Sequence, residues 1–212
     1  GGMARAGLGN DWECIFANDF DDKKGNAYIA NWGESDFLLE DVAKITTEDL
    51  PNEADLAWAS FPCQDLSLAG NGGGIHAKRS GTFWSFWTLI KKLKNESRAP
   101  KFIILENVYG AITSHDGKDF SAIANAVVEE GYLFGAVVID AKLFLPQSRP
   151  RLFIICVRPN ISVPDWLASS TPSKQWHPDS LLSVHEKLKP EVKSHWLWWH
   201  LDKPPVRSKN FI

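Results

Sequence analysis

Short apolar runs, each ending near a polar or charged residue, recur along the first three quarters of the chain with gaps long enough for helices. Leu56 to Phe61, Lys101-Phe-Ile-Ile-Leu-Glu106, Leu133 to Ile139 and Leu152-Phe-Ile-Ile-Cys-Val157 read as buried strands. Glu13-Cys-Ile-Phe-Ala-Asn18 and Leu38 to Val42 read as shorter ones. Residues 21–31, Phe83 to Lys94 and Phe120 to Glu130 carry helical patterning. Lysines fill the last turn of the second helix and Gly131 closes the third, as the helix dipole and the left-handed C-terminal position favour. Strands spaced by helices over residues 11–131 predict an α/β fold with a mainly parallel, doubly wound sheet. No crossover helix fits between Ile139 and Leu152, so the last two strands are expected to form an antiparallel hairpin.

With 212 residues, 44% of them hydrophobic and 23% charged, the chain can build one large globular core, or one domain and part of another. A boundary is expected near Pro159, where prolines become frequent, tryptophans cluster (Trp196, Trp198, Trp199) and periodicity fades. The N-terminal Gly1-Gly2 reads as a turn entering a helix with no strand before it, and the C-terminus lacks a closing element, so the chain reads as part of something longer. The net charge of −3 gives no global sign of a nucleic-acid partner but leaves room for a local basic cleft. Cys14, Cys63 and Cys156 lie far apart, which argues against a disulfide framework and a zinc cluster and for a reducing, cytoplasmic setting. No apolar run reaches membrane-spanning length, and no metal ligand spacing stands out.

Strand placement nominates a site. Asp19, Asp41, Cys63 and Glu106 each follow an apolar run, and in a parallel sheet all four lie along the carboxyl edge, where such folds bind ligands. If the last strand is antiparallel, Arg149 and Arg151 join that edge from its start. Singly, each has a plainer reading. Cys63 suits a buried structural thiol as well as a nucleophile. Asp19 and Asp41 suit helix caps, and the two arginines suit surface charges. His76 and His115 fall in polar loops, and Lys91, Lys92 and Lys94 read as a solvated helix face.

Taken as ordered motifs, these residues resemble the cytosine-5 DNA methyltransferases of bacterial restriction-modification systems. The resemblance rests on Phe61-Pro-Cys-Gln64 with Ser67, Glu106-Asn-Val108 and Gln147-Ser-Arg-Pro-Arg151, in that order and spacing. Gly1-Gly2 resembles the end of the family's glycine-rich cofactor loop, Asn18-Asp19-Phe20-Asp21 and Glu40-Asp41-Val42 its next two segments, and Arg79-Ser-Gly-Thr-Phe83 a fourth. It covers about residues 1–158; the family's first strand and its C-terminal motifs have no counterpart here.

The resemblance implies a Rossmann-like, S-adenosyl-L-methionine-dependent catalytic domain over 1–158, with 159–212 beginning a target-recognition region. It implies Cys63 as the nucleophile on cytosine carbon 6, Glu106 on ring nitrogen 3 and the exocyclic amine, and Arg151, with Arg149, near the cytosine carbonyl and the thiolate. A carboxyl at an apolar strand end is expected to be desolvated. S-adenosyl-L-methionine would be held by Gly1, Gly2, Asp19, Phe20, Asp41, Val42, Pro62 and Phe83. Gln64, Ser67, Lys78 and Arg79 would meet duplex DNA from a glycine-rich loop that closes over a flipped base. A monomer in the bacterial cytoplasm, near the nucleoid, is expected unless a second chain supplies the missing motifs. Two other readings stand beside this one: a tRNA-methylating enzyme of the same fold, and an incomplete subunit that only binds DNA or a partner. A Cys-His hydrolase built on Cys63 would leave Glu106 and the arginines without roles.

Overall fold

The computed structural model describes residues 2–62 and 81–204. Cys63, Gln64, Ser67, Lys78, Arg79, Gly1 and His76 therefore lie outside the described residues.

Helix α1 (Met3–Leu8) precedes strand β1 (Ala17–Asp19), helix α2 (Asp22–Trp32) and strand β2 (Phe37–Leu39). The β1–β2 pair is parallel, with Ala17 opposite Phe37 and Asp19 opposite Leu39. The strand expected from Glu13 is shorter than its apolar run, because β2 offers only three residues to pair with. Asp21 caps α2 by accepting from the amides of Lys23 and Lys24, worth about 1 kcal/mol. Gly2 has φ 79°, and a side chain there would run into the Trp32 indole. Arg5 lies over that indole at 4.7 Å and pairs with Asp36 at 2.5 Å, which fixes α1 against α2.

The main sheet contains β3 (Leu56–Ser60), β4 (Phe102–Val108), β5 (Leu133–Asp140) and β6 (Pro150–Val157), in the order β3-β4-β6-β5. β3 and β4 are parallel; β6 runs antiparallel to both β4 and β5. The hairpin expected from the short connection is present, and its second strand is inserted beside β4. The single edge expected for all the strand ends is divided, since β1 and β2 form a sheet of their own. Helices α3 (Thr82–Asn95) and α4 (Lys118–Glu129) supply one side of the core. Phe83, Trp84, Trp87 and Ile90 recur at helical spacing and are buried together with Ile103 and Leu105 of β4. β4 itself alternates: Ile103, Leu105 and Asn107 are buried, while Phe102, Ile104 and Glu106 face a less covered side.

After Val157 the chain wraps around β5. Strands β7 (Ala168–Ser169) and β8 (Trp198–Trp199) pair antiparallel, and helices α5 (Asp179–Lys187) and α6 (Pro190–Lys193) lie between them in sequence. Trp176 and Trp199 pack with Val137 and Val157 on one face of the sheet, whereas Leu181, Val184, Leu188 and Val192 join the core on the other. The Phe134 amide donates to the His195 carbonyl, and the Leu197 amide donates to Phe134, covering the β5 edge. This close approach needs Gly135, where a Cβ would strike the Leu197 carbonyl.

Candidate active site

Parallel register places Glu106 of β4 beside Ser60, the last residue of β3. Phe61 and Pro62 follow, and Cys63 is the next residue in the sequence. On the other side of β4, Arg151 of β6 stands opposite Val108, diagonal to Glu106 on the same face. The diagonal closes an ion pair: Arg151 Nε lies 3.0 Å from Glu106 Oε1, with the two side chains 20% and 22% exposed. The desolvated carboxyl expected at an apolar strand end is thus a partly covered one, engaged by a guanidinium. A second Arg151 nitrogen donates to the Pro150 carbonyl at 2.9 Å, which restricts the direction of the fork. Trp58 borders this face, edge-on to Phe153 at 6.1 Å, and donates to Ser60 Oγ at 3.1 Å.

Asn107 locks the end of β3 to β4. It is 5% exposed, on the opposite face from Glu106. Its Nδ2 donates to the Phe61 carbonyl at 3.1 Å, and its Oδ1 accepts from the Val108 amide at 2.8 Å. Asn107 therefore positions the backbone just ahead of Pro62 and Cys63. It stands within the motif around Glu106, yet sequence reasoning assigned it no part; a polar residue continuing a buried apolar run was the available signal.

Arg149 is exposed, and its guanidinium makes no ion pair among the described residues. Its amide donates to Asp140 Oδ1 at 2.7 Å. Asp140 also accepts from the Lys142 amide and from Ser148 Oγ. The Lys142 amide chiefly, then the Arg149 amide and Ser148, hold the Asp140 carboxyl at about 2, against partial desolvation.

Four of the residues expected to bind a cofactor, Asp19, Phe20, Asp41 and Val42, lie at or just beyond the ends of β1 and β2. Asn18 Nδ2 donates to the carbonyls of Leu38 and Glu40, tying the two ends together. Asp19 Oδ1 accepts from the Asp21 amide, and Asp41 Oδ1 from the Ala43 amide. Neither caps a helix, since Asp21 serves α2. Phe20 follows Asp19 with 69% of its surface exposed, Val42 is half-buried, and Pro62 is exposed. Phe83 is fully buried, 5.3 Å from the Phe61 ring and stacked on Trp87, because the first turn of α3 faces β3. It backs the wall behind Phe61 and presents no surface.

The plainer readings hold for several others. His115 is tied to Asp119 at 2.7 Å at a solvent-facing turn. Lys91 and Lys94 pair with Glu130, each at 3.2 Å, and make a solvated face. Cys156 is a core thiol, pushed up by burial, and Cys14 contacts Tyr28. A concavity of about 550 Å³ between α4 and α5 holds none of the predicted residues. Among the described residues no His, Cys, Asp and Glu group could hold a metal, and no helix is long and apolar enough to cross a membrane.

The family model described as C-5 cytosine-specific DNA methylase matches residues 1–199. The type II methyltransferase M.BsuFI of Bacillus subtilis is 32% identical over 155 residues, covering 73% of this chain and 36% of the relative. The type II methyltransferase M.HhaI of Haemophilus parahaemolyticus is 28% identical over 152 residues, covering 71% of this chain and 44% of the relative. The chain thus spans about two fifths of the length of these relatives. Among solved structures, the Dnmt2 methyltransferase of S. pombe superposes with a TM-score of 0.56 at 21% identity, covering 72% of this chain and 45% of that one.

Proposed function

The chain belongs to the C-5 cytosine-specific DNA methylase family, and on that premise we propose that it carries the catalytic part of an enzyme methylating carbon 5 of cytosine in duplex DNA. The observation that carries this reading is the Glu106–Arg151 pair, level with the end of the strand that leads into Cys63.

Carbon 5 of cytosine is a weak nucleophile, and transient covalent addition at carbon 6 makes it enamine-like. Cys63 adds as the thiolate, forming the sulfur–carbon 6 bond while the ring electrons move toward nitrogen 3. A free thiol with a pKa of about 8.5 holds little thiolate at neutral pH, so positive charge from Arg149 and Arg151 assists. Glu106 faces nitrogen 3 and the exocyclic amine with the oxygen that Arg151 leaves open, and holds the proton at nitrogen 3. Arg151 meets the carbonyl oxygen of the base. Once carbon 5 carries the methyl group, loss of its proton returns the electron pair to the carbon 5–carbon 6 bond and expels Cys63 as the thiolate.

The residues at the ends of β1 and β2 fit S-adenosyl-L-methionine. Phe20, an aromatic ring left 69% exposed just beyond Asp19, suits the face of a planar adenine. Asp19 would accept from the ribose hydroxyls, Asp41 from the adenine amine, and Val42 would pack on the ring, with Gly1, Gly2, Pro62 and Phe83 the other residues assigned to hold it. Bound there, the cofactor supplies the methyl group as an activated sulfonium.

Reaching a stacked base requires flipping it out, at a cost of a few kcal/mol, roughly. Gln64, Ser67, Lys78 and Arg79 belong to the segment assigned to the flipped base and its phosphates. Residues 1–158 form the catalytic, cofactor-binding unit. Residues 159–212 begin the target-recognition region, anchored on β5, in a monomeric protein.

Incubation with methyl-labelled S-adenosyl-L-methionine and either duplex DNA or tRNA tests the reading. Label in 5-methylcytosine of the DNA, abolished by Cys63→Ser, supports it. Label in tRNA alone, or in neither nucleic acid, overturns it.

A further inference from the structure

The turn that delivers both arginines is closed by one carboxylate. Asp140, the last residue of β5, pairs in register with Pro150, the first of β6. Proline has no amide to donate, so the ladder is weakest here, where residues 141–149 must leave and return. The Asp140 side chain supplies the missing closure. Its Oδ1 accepts from Lys142 at one end of the loop, 3.0 Å away, and from Arg149 at the other, 2.7 Å away. Its Oδ2 accepts from Ser148 Oγ at 3.0 Å and lies 3.4 Å from Lys142 Nζ. Between the two ends of the loop the backbone adds a longer bond, from the Ala141 amide to the Arg149 carbonyl at 3.3 Å, while inside the loop the Ala141 carbonyl accepts from Phe144 and Leu145 at 2.9 and 2.7 Å. The Asp140 side chain keeps 14% of its surface, beside a cleft of about 280 Å³ shared with Tyr109, Lys142 and Pro150.

We infer that Asp140 is a positioning residue: by clamping both ends of the 141–149 loop it sets where β6 begins, and so aims Arg151 at Glu106 and fixes the exit point of Arg149. The inference rests on the roles proposed above for Glu106, Arg149 and Arg151. Asp140 itself touches no substrate in this account. Its carboxyl, lowered to about 2 chiefly by the Lys142 amide, is ionised at neutral pH, where the clamp is in place.

Asp140→Ala and Asp140→Asn in the full chain test this. The asparagine keeps an Oδ1 acceptor for both amides and loses only the charge and the acceptor for Ser148. Nitrogen-15 NMR reads the Arg151 Nε–H and the exchange of the Lys142 and Arg149 amides. Covalent trapping on a duplex containing 5-fluorocytosine reads the chemistry, and thermal unfolding reads the fold. In Asp140→Ala the two amides are expected to exchange roughly tenfold faster or more, as for the loss of one net hydrogen bond. The Arg151 Nε–H is expected to move toward its free position. The trapping rate is expected to fall about tenfold or more through misplacement of the arginines, beyond any unfolded fraction, and Asp140→Asn restores most of it. An unchanged Arg151 Nε–H in Asp140→Ala overturns the inference, as does a trapping loss that only follows the unfolded fraction, or an asparagine variant no better than the alanine one. Failure of the underlying reading looks different: the parent chain traps no duplex at all, while the Arg151 resonance still reports on the clamp.

Discussion

Truncating Asn107 to alanine removes the one side chain that bonds the end of β3 to β4 from inside the core. The cost divides into two parts. The Val108 amide loses its acceptor, but Val108 is 41% exposed and water can replace the oxygen, so this part is about 1 kcal/mol or less. The Phe61 carbonyl loses its donor at a residue only 7% exposed, where water does not reach it readily, and an unsatisfied buried acceptor costs about 1–3 kcal/mol. Together Asn107→Ala is expected to destabilise the chain by about 1–4 kcal/mol. With a urea slope of about 2–3 kcal/mol per M, the unfolding midpoint falls by roughly 1 M at constant slope. Asn107→Asp does no better, since it turns a carboxylate oxygen toward the Phe61 carbonyl. Equilibrium urea unfolding followed by tryptophan fluorescence measures the change. A midpoint within about 0.2 M of the parent would refute the reasoning, because it would mean that the Phe61 carbonyl finds another partner at no cost. Under native conditions the same variant is expected to slow trapping of a 5-fluorocytosine duplex more than its unfolded fraction explains, because Cys63 lies two residues beyond Phe61.

Three further outcomes follow from the same geometry. His177 is 2% exposed, accepts from the Ser173 amide at 2.8 Å and stands edge-on to Trp198, and burial holds its imidazole down at about 4. Its contribution is therefore complete above the unfolded pKa of about 6.5 and is lost as pH falls toward 4, up to about 3 kcal/mol; unfolding followed from pH 7 to 4 should show the loss, and His177→Phe should flatten it. Gly135→Ala drives a methyl into the Leu197 carbonyl and is expected to cost about 1–3 kcal/mol, with faster amide exchange at Phe134 and Leu197 marking release of the segment from β5. Phe20→Ala removes the exposed ring from the ends of β1 and β2 and is expected to weaken S-adenosyl-L-methionine binding by roughly tenfold in calorimetry, without changing the unfolding midpoint.

How far the sequence could be read depended on the kind of interaction. The strands β3 to β6 were legible because each carries a continuous apolar run, and Glu106 was legible because it is the carboxylate that ends one. The hairpin followed from a connection too short for a helix, but nothing local to β6 says that it inserts between β4 and β5; that choice is made by packing across the whole sheet. Asp140 and Asn107 were not singled out, because their partners are backbone amides and carbonyls, which leave no trace in residue type. The packing of Phe83 was not legible for a related reason: a phenylalanine at the start of a helix suits a ligand wall and an aromatic core equally, and only the orientation of α3 sets its ring against Phe61. The segment after Pro159 looked irregular because its apolar residues serve both faces of the sheet in turn, so no single period survives.

The central claim is that Cys63 is the nucleophile at a base site completed by Glu106 and Arg151. Peptide mapping of the chain after incubation with S-adenosyl-L-methionine and a duplex carrying 5-fluorocytosine tests it most directly, since that base cannot release its carbon-5 substituent as a proton. The account predicts one adducted peptide, carrying the cytosine on Cys63, whose yield falls with Glu106→Gln and disappears with Cys63→Ser. An adduct on Cys14 or Cys156, or one that survives Cys63→Ser, would contradict it.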